Sequence, residues 1–151
     1  MASKAEGPVY ADSSFLISLY SPDSNTGAAA LTMRRVPEAL LITPLVEFEV
    51  INALRQRIFW RQISELEAQK SQQKFDKNLH DGAFRMLALP ESMFARAKAI
   101  AEQTTATLGT RTIDLLHVAS ALELGAIHLY SFDERQRKLA TAVRLKLNPV
   151  T

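Results

Sequence analysis

The sequence predicts an α/β protein in which helices cover both faces of a mainly parallel sheet, a three-layer α/β/α arrangement. Three observations carry that prediction. Short apolar runs lie near residues 9, 40, 127 and 144, separated by stretches of helical periodicity, and this alternation produces parallel βαβ units. The run from Asp114 to Gly125, DLLHVASALELG, puts Leu, Val and Ala on nearly every side of a helix, which must then be covered on most of its surface. A chain of 151 residues, 47% of them hydrophobic, suffices for a single domain with one core and is short for two.

Residues 1–8 read as a loose lead-in closed by Gly7-Pro8. A strand is expected over about 9–12, then a helix over about 13–20 that Ser13 or Ser14 caps and Ser21-Pro22-Asp23 ends. The next helix, about 23–35, carries small residues from Gly27 to Ala30 and stops before Pro37. Leu40 to Thr43 is the second strand, and Pro44 suits the first position of a third helix. On that helix Glu49, Asn52 and Gln56 share a polar stripe, whereas Glu47 falls in the arc of Val50, Ile51, Leu54 and Ile58. Residues 62–78, rich in Glu, Lys and Gln, read as a solvated helical arm within the domain. Phe84 to Leu89 is a short strand ended by Pro90, and 91–106 a helix burying Phe94, Ala97, Ile100 and Ala101. A Thr-rich turn around Gly109 leads to the helix opened by Asp114, which Gly125 ends. AIHLYSF is a buried strand with Asp133 just past it, and a helix follows from Glu134. Finally, Val143, Leu145 and Leu147 alternate with other residues, two of them basic, as an edge strand does.

Several function classes are disfavoured. Eighteen Lys and Arg against sixteen Asp and Glu give a net charge of +2, compatible with a polyanionic partner but too small to argue for one. Without cysteine there is no disulfide framework and no thiolate metal site. Glycine-loop nucleotide motifs and the G-x-S-x-G elbow are absent. The three histidines, His80, His117 and His128, are too scattered for a metal cluster, and His117 reads as a hydrogen-bonded core residue one turn after Asp114. No run approaches the roughly 18 apolar residues of a membrane span, so the expectation is a cytoplasmic protein with no membrane partner.

Asp12 and Asp133 each follow a strand. In an open α/β sheet the carboxyl ends of the strands lie along one edge, where ligand crevices form, so the two acids should converge. Aspartate is also a good N-cap residue, and capping alone accounts for either one taken singly.

Four blocks in order carry a resemblance: Val9-Tyr10-Ala11-Asp12-Ser13-Ser14; the run TPLVEFEVINAL from Thr43 to Leu54; the run RTIDLLHVA from Arg111 to Ala119; and Ser131-Phe132-Asp133-Glu134-Arg135. Together they resemble a PIN domain, and most closely the VapC-type toxins of type II toxin–antitoxin systems, over about residues 9–147. The resemblance implies a PIN-like fold with Asp12, Glu49, Asp114 and Asp133 as its catalytic acids and as ligands of Mg2+ or Mn2+. Glu47 is the rival of Glu49 for its place. Ser13, Ser131 and Asn52 would hold carboxylates in position; Arg111 and Arg135 would meet substrate phosphates or else form surface ion pairs. Physics agrees with a metal, since carboxylates crowded in one crevice repel until a cation neutralises them, and Mg2+ takes hard oxygen ligands. The implied activity is divalent-metal-dependent endoribonuclease cleavage of an RNA substrate by a toxin. A small antitoxin partner and a homodimer come with that resemblance. The competing expectation is a catalytically silent PIN-like module that binds RNA or protein.

Overall fold

Five short strands form the sheet: β1 (Val9–Ala11), β2 (Leu40–Ile42), β3 (Phe84–Met86), β4 (His128–Tyr130) and β5 (Lys146–Leu147). The computed structural model describes residues 4–150; residues 1–3 of the expected lead-in, and Thr151, lie outside the described residues. Every strand pairing is parallel, in the order β3-β2-β1-β4-β5. β1 and β2 are buried along their whole length, as central strands covered on both faces must be. Among the described residues seven helices provide that cover: α1 (Ser13–Tyr20), α2 (Thr26–Met33), α3 (Pro44–Phe59), α4 (Glu65–His80), α5 (Met93–Leu108), α6 (Thr112–Glu123) and α7 (Glu134–Ala142). The three-layer α/β arrangement with a parallel sheet is thus as the sequence predicts.

Strand order decides where a ligand site can lie. The chain builds outward from β1 through β2 to β3, then returns to place β4 on the other side of β1. The turning point is the seam between β1 and β4, where Val9, Tyr10 and Ala11 face His128, Leu129 and Tyr130 in register. Crevices open at such reversals, beyond the carboxyl ends of the strands.

Several boundaries differ from expectation for identifiable reasons. α2 starts at Thr26 because Asp23 forms a turn first: its carboxylate accepts from Asn25 N–H (2.8 Å), and its own N–H donates to Thr26 Oγ1 (2.9 Å). On α5 the buried residue is Met93, while Phe94 is 60% exposed, which corrects the expected burial of Phe94; Ala97 and Ile100 are buried as expected. The last strand shortens to Lys146–Leu147 because Arg144 takes a left-handed φ of 68° just before it. α6 begins two residues before Asp114, which therefore sits inside its first turn.

The polar arm is α4, and one side of it is buried. Ala68, Ser71 and Phe75 face inward, and Phe75 packs on Tyr20 and Phe84 at ring separations of 5.6 and 5.7 Å. Ser64 starts it with a capping box: Ser64 Oγ accepts from Glu67 N–H (3.1 Å) and Glu67 Oε2 from Ser64 N–H (2.6 Å). Ser64→Ala should lower stability by about 1 kcal/mol in urea denaturation, the usual worth of such a cap. An unchanged midpoint would mean α4 contributes little to the cooperative unit. Among the described residues no helix is long and apolar enough to cross a membrane.

Candidate active site

The seam between β1 and β4 brings two acids together through hydroxyl groups. Asp12 leaves β1 with its N–H donating to Tyr130 O of β4 (3.1 Å). Its Oδ1 accepts from Phe15 N–H (3.1 Å), capping α1, and from the Ser14 hydroxyl (2.6 Å). Ser14 Oγ in turn meets Ser131 Oγ (3.1 Å) and accepts from Phe132 N–H (2.9 Å). Ser131 Oγ accepts from the N–H of Asp133 (3.0 Å). Asp133 caps α7, its Oδ1 accepting from Arg135 and Gln136 N–H. Both acids are therefore caps as well as neighbours. Of the two serines that follow Asp12, Ser14 is the one whose hydroxyl reaches the carboxylate. Asp12 is only 4% exposed, and burial pushes its carboxyl above the ordinary range against the pull of His117 and of the Ser131 and Ser14 hydroxyls.

Asp114, 3% exposed, is held by an arginine three residues back. Arg111 grips it with a fork, Nε to Oδ2 (2.9 Å) and Nη2 to Oδ1 (3.0 Å), and the same Nη2 reaches Asp133 Oδ2 (3.0 Å). A single guanidinium thus links the acid of α6 to the acid after β4. The Asp114 hydrogen bond above all, with the Asp133 charge, holds Arg111 even more firmly protonated than usual. Its side chain is nonetheless 45% exposed.

Glu49 projects from α3 to His117 of α6 and is hydrogen-bonded to its Nε2. The other ring nitrogen, Nδ1, lies 2.8 Å from the Tyr10 hydroxyl, which is itself 3.5 Å from Thr43 Oγ1. A carboxylate only accepts, so Nε2 donates to Glu49, while Nδ1 shares a hydrogen bond with the Tyr10 hydroxyl. His117 is the buried, hydrogen-bonded histidine the sequence leads one to expect, yet its partner is one of the four acids.

The remaining candidates stand apart. Asn52 and Arg135 are exposed, and Glu47 and Ser13 are half-buried. Among the described residues none of these four side chains is hydrogen-bonded to Asp12, Glu49, Asp114 or Asp133. Sequence reasoning missed Tyr10 and Asn148. Asn148 is buried and fixes the Ser131 loop, accepting from Ser131 N–H (2.7 Å) and from Arg137 (3.1 Å). Its place near the end of the chain carries no local signal of that role.

The four acids offer hard oxygen donors, the kind Mg2+ and Mn2+ take. Among the described residues, however, no three His, Asp or Glu side chains converge closely enough to hold a metal ion. Arg111 takes both oxygens of Asp114 and one of Asp133, and brings the positive charge a metal would bring. The donor set fits a divalent cation in kind, with Arg111 standing between this arrangement and a closed set of ligands.

Comparison with known proteins places this geometry in a family. The PIN domain profile matches residues 9–142, a span holding all four acids. The chain belongs to the PIN-domain family. Among curated proteins, none has a significantly similar sequence. Similar solved structures include Mycobacterium tuberculosis VapC20, a sarcin-ricin loop cleaving toxin, at 16% identity and a TM-score of 0.64, covering 93% of this PIN chain and 99% of that one. VapBC2 from Rickettsia felis, bound to a DNA fragment from its promoter, gives 14%, 0.62, and coverage of 92% and 96%. A toxin–antitoxin complex from Klebsiella pneumoniae gives 14%, 0.58, and coverage of 83% and 86%. At these identities the likeness is one of fold, and the PIN fold is common to all.

Proposed function

We propose that this PIN domain is a divalent-metal-dependent endoribonuclease, the toxin of a toxin–antitoxin pair. The observation that carries the reading is the unbroken polar chain Asp12–Ser14–Ser131–Asp133–Arg111–Asp114, gathered at the strand reversal of a PIN fold. The similar structures, a sarcin-ricin loop cleaving toxin and toxin–antitoxin assemblies, support the substrate class and the partner. The same reading makes the chain one cytoplasmic domain, homodimeric, with a small antitoxin protein.

A bound Mg2+ or Mn2+ would supply an activated water and stabilise charge growing on the phosphodiester. Asp12, Asp114 and Asp133 are the residues to hold it. Glu49, its carboxylate fixed by the His117 N–H, orients the attacking water from the α3 side. Ser14 and Ser131 keep the acids of β1 and β4 in register with each other. Arg111, 45% exposed and bound to the acids through Nε and Nη2, has Nη1 left to donate to a phosphate oxygen.

One observation favours a second reading. With Arg111 neutralising two acids and no three acids converging among the described residues, the same surface suits a silent module that binds RNA or protein. Cleavage of structured RNAs with Mg2+, with Mn2+ and with EDTA separates the two. Metal-dependent products that vanish in EDTA are expected. Binding without products, over several RNAs and both metals, would move the assignment to the module.

A further inference from the structure

Beside the acids lies a cleft of about 330 Å3 whose lining includes Ser14 and Asp133 together with Trp60, Phe132, Gln56 and Asn25. Trp60 stands at the end of α3 and is 56% exposed, an unusual place for the largest apolar side chain. Phe132 is fixed by stacking on Phe15, with ring centroids 5.6 Å apart and planes 16° from parallel. Arg57 also lines the cleft, but it is committed: Nη2 pairs with Asp23 (3.0 Å) and Nη1 donates to Ser21 O (3.2 Å), tying the end of α3 to the loop after α1. What the cleft offers is therefore aromatic surface and amides, not a free cation. Among the described residues the side-chain amides of Asn25 and Gln56 have no hydrogen-bond partner. Such a lining suits a flat, uncharged group with donors and acceptors on its rim and suits a phosphate poorly.

We propose that this cleft is a nucleobase subsite, taking an unstacked base next to the phosphodiester held at the acids. The inference rests on the ribonuclease reading above. The base stacks on Trp60 and Phe132 and turns its edge to Asn25 and Gln56, as single-stranded RNA is commonly read. A base held in a duplex is already stacked and paired, so it has no free face for Trp60.

Trp60 is the chain's single tryptophan, so its fluorescence reports on this cleft directly. A short labelled single-stranded RNA is titrated into the unmutated protein, in EDTA and again with Ca2+. Anisotropy of the label follows binding while Trp60 emission follows stacking. Quenching that saturates together with the anisotropy change is expected, with neither seen for a blunt duplex at the same concentrations. Trp60→Ala should weaken binding about 5- to 150-fold, the loss of roughly 1–3 kcal/mol of stacking, and Trp60→Phe should restore most of it. An anisotropy change without quenching, or a Trp60→Ala affinity within twofold, overturns the subsite, leaves the ribonuclease reading standing and gives the Trp60 face to a protein partner. Absence of RNA binding under both conditions overturns both. The emission readout needs no variant, so a poorly folded substitution cannot spoil it.

Discussion

Asp12→Asn is expected to lower RNA cleavage by at least about 100-fold while making the folded protein more stable at neutral pH. The loss of activity follows from the proposed role of Asp12 in holding the metal, since losing such a carboxylate should cost no less than the 10- to 100-fold typical of supporting contacts. The gain in stability follows from burial. Asp12 is 4% exposed, and its folded pKa is raised. A raised folded pKa stabilises the protein only while the carboxyl is protonated. That contribution is complete below the ordinary carboxylate range, near pH 4, and is lost as pH climbs through the raised value. At neutral pH the wild type has lost it. Asparagine carries no charge to desolvate, and its oxygen can still accept from Ser14 and from Phe15 N–H. The stability difference between variant and wild type should therefore be small near pH 4 and widen towards pH 7, as read by urea denaturation across that range. A variant less stable than wild type at pH 7 would show that the charged cap outweighs the cost of burying it.

Arg111→Ala should melt earlier than wild type without metal and gain more from Mn2+. Removing the guanidinium leaves the buried Asp114 carboxylate with only the weak 3.3 Å bond from the residue 111 N–H. An under-satisfied buried acceptor costs about 1–3 kcal/mol, and the exposure of Arg111 places the effect towards the lower end. A cation that binds the folded state raises stability in proportion to the logarithm of its concentration over its Kd. Without a competing guanidinium that Kd should fall. Thermal melts of wild type, Arg111→Ala and Arg111→Lys in EDTA and over a Mn2+ series test the point. Lysine should be intermediate, because an ammonium cannot fork onto both oxygens. Equal Mn2+ shifts in all three would mean that arginine and metal do not compete.

What the sequence discloses here depends on range. Asp12 and Asp133 are legible because strand, acid and helix follow one another locally, and a parallel sheet brings such strand ends to one edge; the strand order that makes β1 and β4 neighbours is not written in the α/β alternation. The helical wheel puts Glu49 on a polar stripe with Asn52 and Gln56 and only the resemblance prefers it to Glu47; the structure turns Glu49 to the buried His117, a contact the wheel does not show. Contacts that bridge distant positions leave no such trace: His117 meets residues 68 and 107 positions away. Arg111 is a different failure. It lies three residues from Asp114, but the fork depends on an extended backbone at Arg111 just ahead of α6, which composition does not specify. The exchange of Phe94 for Met93 shows the limit of periodicity, since adjacent apolar residues fit the same pattern and only packing decides between them. For Ser13 and Ser14 the choice fell to which hydroxyl the first turn of α1 aims back at Asp12.

The seam between β1 and β4 also has a consequence for synthesis. A chain emerging from the ribosome through β3 already carries Asp12 and Glu49, but it lacks Arg111, Asp114, His117, Ser131 and Asp133. One edge of β1 stays unpaired until β4 arrives to cover it. Truncated or stalled products therefore hold half a site and none of its cross-connections. The ribonuclease site proposed above would in this way be incomplete in any copy that stops before Asp133, so the order in which the strands appear delays the activity until most of the chain is out.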